Sequence, residues 1–162
     1  MKPKFSIITV TYNSSEYVSR CISSVLSQSY DNFEYIVIDG CSTDNTLEVV
    51  KSFTDRRIRI ISEPDDGIYD AMNKGLSNSK GEYICILNSD DLLANEDVLA
   101  TLFMHFSLGN NILIGDINFF KFGDVSRVTR TWRVKEFTLD DFKIGWHPPH
   151  PGFFFRRTLF DD

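Results

Sequence analysis

Short runs of β-branched apolar residues alternate along this chain with stretches whose apolar positions recur every three or four residues, the two periods of strand and helix. Residues 5–11 form the first apolar run, and Asn13-Ser14-Ser15-Glu16 has the capping-box pattern of a helix start, with Tyr17, Cys21, Ile22, Val25 and Leu26 at helical spacing behind it. Tyr35 to Ile38 predicts a second buried strand ending at Asp39, followed by Ser42-Thr43-Asp44 as the cap of a helix with Leu47, Val50 and Phe53 on its apolar face. Ile58 to Ile61 is the third strand, and Ile68, Met72 and Leu76 mark a helix closed near Gly75 or Gly81. Tyr83 to Leu87 is the fourth strand, after which Asn95 caps a helix showing Val98, Leu99, Leu102, Phe103 and Phe106 on one side.

Four repeats of strand then helix imply parallel strands joined by right-handed crossovers, hence an α/β fold with a doubly wound, mostly parallel sheet covered by helices on both faces. Residues 1–107 hold this alternation. In residues 108–162, Ile112-Leu113-Ile114 reads as a further strand, while Asp116 to Pro149 has irregular periodicity and reads only as strands and loops. Phe153-Phe154-Phe155 reads as a buried strand that needs neighbours, which leads to the expectation that the natural chain continues past residue 162.

A length of 162 residues with 42% hydrophobic and 25% charged side chains fits one globular domain, residues 1–162, with a sizeable apolar core. The formal charge of −6 argues against nucleic acid as a partner, since phosphate-backbone affinity rests on clustered Lys and Arg. Cys21, Cys41 and Cys85 are odd in number and lack CxxC spacing, which favours a reducing, cytoplasmic setting over a disulfide framework or zinc site. No apolar run is long enough to span a bilayer. Eleven of the fourteen phenylalanines follow residue 100; a core role is favoured for them, with an acceptor groove, a subunit contact that would make a homo-oligomer, or a peripheral membrane contact left open.

Ligands of open α/β sheets bind beyond the carboxyl ends of the strands. That rule gathers Thr11-Tyr12-Asn13, Asp39, Glu63-Pro64-Asp65-Asp66-Gly67 and Asn88-Ser89-Asp90-Asp91 at one edge. The chain has neither G-x-G-x-x-G after the first strand nor G-x-x-x-x-G-K-[ST], so backbone capture of phosphate is disfavoured. An edge rich in Asp and poor in Lys repels a pyrophosphate unless a hard divalent cation stands between them.

The segments Ile7-Ile8-Thr9-Val10-Thr11-Tyr12-Asn13, Asp39-Gly40-Cys41-Ser42-Thr43-Asp44, Asp66-Gly67-Ile68-Tyr69-Asp70-Ala71-Met72-Asn73-Lys74-Gly75 and Leu87-Asn88-Ser89-Asp90-Asp91, in that order, resemble family-2 glycosyltransferases, in particular bacterial members that build cell-surface polysaccharides. The resemblance is dense over residues 4–107 and implies the GT-A fold of nucleotide-diphospho-sugar transferases. It implies transfer with inversion of a sugar from a nucleoside-diphosphate sugar, expected to be a UDP-sugar, to a hydroxyl of a saccharide or lipid-linked saccharide, with Mn²⁺ or Mg²⁺ as cofactor. By the same resemblance Thr11, Tyr12 and Asn13 support the nucleobase and Asp39 accepts a hydrogen bond from it. Asp66 and Gly67 face the nucleotide from the start of a helix, with Asn73 about two turns on, while Asp70 and Lys74 compete between that role and an ordinary i,i+4 pair.

Asn88 stands where the family's Asp-x-Asp motif has its first carboxylate; it can hydrogen-bond ribose but adds no charge to a cation, which leaves Asp90 as the metal ligand bridging the phosphates. Asp91 and His150 are the catalytic candidates, His150 also being one for the metal, and Arg156 or Arg157 would offset leaving-group charge. The family's general base is an Asp of the acceptor half, and Asp161 and Asp162 come too early for it, so this chain is expected to lack the base.

Three other readings stay open. A non-catalytic sugar-nucleotide-binding module would use the same pocket. A nucleotidyltransferase of similar topology should carry a glycine-rich loop with a basic residue after the first strand, where Thr11-Tyr12-Asn13-Ser14 has none. A receiver-type signalling domain would use an acidic pocket for its cation.

Overall fold

The structure, a computed structural model, describes residues 3–121, 124–136 and 138–160. Asp161 and Asp162, weighed above as bases, lie outside the described residues. The alternation read from the chain is realised as β1 (Phe5–Thr11), α1 (Val18–Leu26), β2 (Phe33–Asp39), α2 (Thr46–Lys51), β3 (Ile58–Ser62), α3 (Ile68–Ser77), β4 (Tyr83–Asn88) and α4 (Val98–Ser107). Then come β5 (Ile112–Ile114), a hairpin of β6 (Ile117–Lys121) and β7 (Asp124–Trp132), α5 (Leu139–Lys143), and β8 (Phe153–Arg156).

Six strands make one sheet in the order β3-β2-β1-β4-β8-β5. The four early strands are parallel, in a register that sets Thr11 beside Asp39 and Val10 beside Asn88, so their carboxyl ends finish level. Side chains alternate across the strands, and each face has its own core. Phe5, Ile7, Tyr35, Val37, Cys85 and Leu87 pack with residues of α1, α2 and α4, while Ile8, Val10, Ile36, Ile38, Ile84 and Ile86 pack with α3. Burial on both faces explains why these strands read as unbroken apolar runs.

Phe153–Arg156 is a buried strand, as its composition predicts, but its neighbours are present: it inserts antiparallel between β4 and β5. The need for absent neighbours is therefore removed. Phe154 and Phe155 join the cores on opposite faces, whereas Phe119 and Phe160 stay largely exposed, so the late phenylalanines are only partly core.

Several helix boundaries differ from the reading above, each for a local reason. Asn13 adopts a left-handed backbone (φ 49°), which ends the strand without starting a helix, and α1 begins at Val18. No side chain caps α1, so the capping box over residues 13–16 does not form. Asn95 does not cap α4: the buried Gln28 accepts the Leu99 N–H at 3.0 Å and donates to the Asn95 carbonyl at 2.6 Å, so a residue after α1 closes that helix start. In α3 the buried positions are Ala71, Met72 and Gly75, while Ile68 is half exposed.

Gly75 does not end α3 but lies inside it, where a Cβ would overlap the Ile8 side chain of β1. The helix approaches the sheet this closely only because the position lacks a side chain. Gly75→Ala is therefore expected to lower unfolding free energy by about 1–3 kcal/mol in a urea titration, the usual cost of overpacking a tight core contact.

Candidate active site

The level ends of β1, β2 and β4, with the loop that enters α3, enclose a cleft of about 750 Å³. Eight of its lining residues, Thr11, Tyr12, Pro64, Asp65, Gly67, Asn88, Ser89 and Asp90, come from the strand-end clusters singled out in the sequence. Tyr12 turns an aromatic ring to solvent, with 61% of its surface exposed. Thr11 and Asn88 each contribute a buried oxygen, Oγ1 and Oδ1, that no group of the described residues bonds. Buried polar atoms without a partner cost about 1–3 kcal/mol, so both are primed for a ligand.

The loops after β1 and β2 are laced together. Asn13 donates its backbone N–H to Ser42 Oγ at 2.9 Å, and its Oδ1 accepts from the Thr43 N–H at 2.8 Å. Ser14 N–H donates to Thr46 Oγ1 at 2.7 Å. Asp44 accepts from the Thr46 hydroxyl and backbone and from the Ser15 backbone, contacts that lower its pKa to about 2 and keep it ionised. Asn13 thus holds the wall behind Tyr12 and is not among the cleft-lining residues.

Asp39 is fully buried and also lies outside the lining. Its carboxylate accepts from the backbone and hydroxyl of Ser42 and, at 2.7 Å, from Ser62 Oγ. Of the acidic pair after β3, Asp65 lines the cleft and Asp66 does not. The Asp65 carboxylate accepts the Gly67 N–H at 2.9 Å and fills space left free by the missing side chain at Gly40. Asp65 stands in the strand-end cluster from Glu63 to Gly67 but is not among the individual site candidates of the sequence reading; its signal is the Asp-x-Gly spacing, in which a carboxylate caps the N–H two residues on. Asn73 is exposed and outside the lining, and Asp70 is held by Lys74 at 3.0 Å in the i,i+4 ion pair.

A second cleft of about 530 Å³ adjoins the first through Asp90, which lines both. Here Asp91 and His150 come together with Tyr17, Arg20, Trp132 and residues of β6. Asp91 accepts from Asn88 Nδ2 at 3.1 Å; desolvation first, then the neighbouring Asp90 charge, raise its pKa to about 6. His150 is exposed at its edge but crowded by protein atoms, and desolvation lowers its pKa. Among the described residues no three His, Cys, Asp or Glu gather in a way that could hold a metal ion.

Arg156 is not at this site. Because β8 runs antiparallel to β4, His150 ahead of it reaches the cleft, whereas Arg156 at its far end pairs with Tyr83 at the start of β4. There its guanidinium binds Glu82 Oε1 at 2.8 Å, the Tyr83 hydroxyl at 2.9 Å and Asn111 Oδ1 at 3.0 Å. The Arg157 backbone N–H donates to the Glu82 carbonyl at the same remote end.

The mostly parallel sheet with a polar, aromatic-edged cleft at its carboxyl rim is an α/β fold of the GT-A kind. The chain belongs to glycosyl transferase family 2, whose model matches residues 6–162. It is 32% identical over 163 aligned positions to the PGL/p-HBAD biosynthesis glycosyltransferase of Mycobacterium bovis (strain BCG / Pasteur 1173P2), an alignment covering 98% of this chain and 61% of that protein. This chain thus spans about three-fifths of the length of that relative. Among solved structures, S. aureus TarS 1-349 in complex with UDP-GlcNAc superposes with a TM-score of 0.79 at 27% identity, covering 98% of this chain and 47% of that one. Mannosyltransferase PcManGT from Pyrobaculum calidifontis, in complex with GDP-Man and Mn²⁺, shares the fold with a TM-score of 0.69 at 22% identity, over 99% of this chain and 46% of that one.

The raised pKa of Asp91 makes its ionised form unfavourable in the folded chain. Its contribution to stability is fully present below the unfolded carboxylate value near 4 and is lost as pH rises through about 6. Asp91→Asn should therefore leave the unfolding free energy nearly unchanged at pH 4. In chelator at pH 8 it should increase that energy by about 1–2 kcal/mol, a figure reduced for partial solvent screening. Denaturant titrations at the two pH values measure the difference.

Proposed function

We propose that the chain binds a nucleoside-diphosphate sugar, in the first instance a UDP-sugar, in the cleft at the strand ends and serves its transfer to an acceptor hydroxyl entering from the second cleft. The observation that carries this reading is Asp90, the residue shared by the two clefts, where donor and acceptor would have to meet. The UDP-GlcNAc complex of TarS, a protein similar to this one, supports a uridine donor.

In this reading Tyr12 stacks on the base, and an aromatic face suits any flat ring. Thr11 Oγ1, Asn88 Oδ1 and the Asp65 carboxylate, all of cleft-lining residues, bond the ribose or the base edge. A divalent cation, Mn²⁺ or Mg²⁺, would be held at this edge by the Asp90 carboxylate together with oxygens of the diphosphate. When bound, such a cation neutralises the diphosphate and stabilises it as it leaves. Asp91 and His150 hold and orient the incoming hydroxyl. The acceptor oxygen bonds to the sugar's anomeric carbon from the side opposite the diphosphate as the carbon–oxygen bond to the diphosphate breaks, which inverts the configuration, and the hydroxyl proton passes to a general base that is neither Asp91 nor His150.

Bacterial cell-surface polysaccharide synthesis on the cytoplasmic side is the setting this reading favours, with a saccharide or lipid-linked saccharide as acceptor. No helix among the described residues is long and apolar enough to cross a membrane. A sugar-nucleotide-binding module without turnover is the alternative, and release of UDP from a UDP-sugar in the presence of acceptor separates the two.

Calorimetry with UDP and Mn²⁺ tests the assignment. Asp90→Ala is expected to weaken binding at least tenfold and to abolish its dependence on Mn²⁺; undiminished metal-dependent affinity removes Asp90 from the site. Tyr12→Ala should weaken uridine and UDP by similar factors, on the order of tenfold for a lost stacking contact, and a loss confined to UDP contradicts base stacking. Asn88→Asp should tighten metal-assisted binding.

A further inference from the structure

Charge is unevenly spread along the chain. Residues 117–135 carry Lys121, Arg127, Arg130, Arg133 and Lys135 against the single carboxylate of Asp124, a net +4, while the rest of the chain stands at −10. All five cations are exposed, and among the described residues none is paired with a carboxylate. Elsewhere Lys4, Arg57, Lys74 and Arg156 each have an acidic partner, while Arg20, Lys51, Arg56, Arg59 and Lys80, without an ion pair among the described residues, are dispersed along residues 20–80. Lys121, Arg127 and Arg130 lie on the two-stranded ribbon and Arg133 and Lys135 follow its second strand directly; like charges this close repel one another, so this segment is electrostatically complementary to something anionic and external.

Apolar side chains are interleaved with these cations. Val125 and Val128 are each half exposed on β7, and the Arg130 guanidinium lies over the Phe119 ring, 5.2 Å from its centroid. The β6–β7 ribbon is a sheet of its own, hydrogen-bonded to no other strand among the described residues. A polyanion such as nucleic acid is served by the cations alone. A lipid headgroup layer takes both: phosphates for the cations, and the acyl boundary for valine and phenylalanine. The same ribbon supplies Ile117, Phe119 and Trp132 to the second cleft.

We propose that the β6–β7 hairpin is a docking surface for an anionic phospholipid bilayer, seating the chain so that the second cleft opens beside the lipid. Docking stands on the charge and exposure of the hairpin; that the cleft receives a lipid-linked acceptor rests on the glycosyl-transfer reading.

Flotation of the full chain with vesicles tests it, using phosphatidylcholine alone and phosphatidylcholine mixed with phosphatidylglycerol. Binding is expected only to the mixed vesicles and is expected to fall with added salt. The triple variant R127S/R133S/K135S should weaken it on the order of 100-fold, because each basic residue near an anionic surface contributes roughly a factor of five. Arg127→Glu, a single exposed change, should weaken it at least tenfold and guards against misfolding of the triple variant; thermal midpoints check both. V125S/V128S should weaken binding while leaving its salt dependence in place. Equal binding to neutral vesicles, or undiminished binding by the folded charge variants, overturns the proposal. An oligonucleotide bound more tightly than the mixed vesicles at the same salt also overturns it, by making the partner a nucleic acid. UDP binding measured in parallel keeps the two readings apart: vesicle binding without UDP binding leaves docking and removes glycosyl transfer, and the reverse result does the opposite.

Discussion

Four parallel strands buried on both faces must stop where their hydrogen-bonded partners stop, and this common stopping line organises everything functional in the molecule. Apolar side chains fill both layers up to Val10, Ile38 and Leu87. One residue beyond, the chain turns polar on every strand, since backbone leaving a sheet needs new hydrogen-bond partners. Those partners are the side chains of the neighbouring loop: Asn13 with Thr43, Ser14 with Thr46, Asp39 with Ser42 and Ser62. The lacing fixes the rim, and the fixed rim leaves Tyr12, Asn88, Asp65 and Asp90 facing a shared space.

That arrangement was largely legible in the chain because its causes are local. A run such as Tyr83 to Leu87 can only be a doubly buried strand, and the polar cluster after it can only lie at the sheet's edge. What was not legible depended on which side chain of a polar cluster turns inward. Asp39 and Asp65 look equally available in sequence, yet the first is consumed by Ser42 and Ser62 while the second lines the cleft. Asn13 reads as a helix cap until its left-handed backbone and its bonds to the 42–44 loop are known. Gln28, which closes the start of α4 from across the structure, leaves no sequence signal near that helix.

The later third of the chain resisted reading for a topological reason. β8 enters the sheet between β4 and β5, some seventy residues after β4, and its direction is opposite to both. That single antiparallel insertion separates residues adjacent in sequence: His150 goes to the rim and Arg156 to the far end, where Glu82 and Tyr83 hold it. It also creates the second cleft, since the segment before β8 and the β6–β7 hairpin form the wall facing Asp90 and Asp91. A rim cleft built from successive strand–helix units thus adjoins another built from long-range contacts, and Asp90 lines both.

The proposed glycosyl transfer requires the rim cleft to be a nucleoside-diphosphate site assisted by a cation. A thermal-shift comparison of UDP, GDP, ADP and their sugars, each with and without Mn²⁺, tests this most directly, because a ligand that binds the folded state raises its midpoint. The prediction is a rise with UDP or a UDP-sugar that is larger with Mn²⁺ than the sum of the two ligands added separately. A midpoint unmoved by any nucleoside diphosphate, with or without the cation, contradicts it.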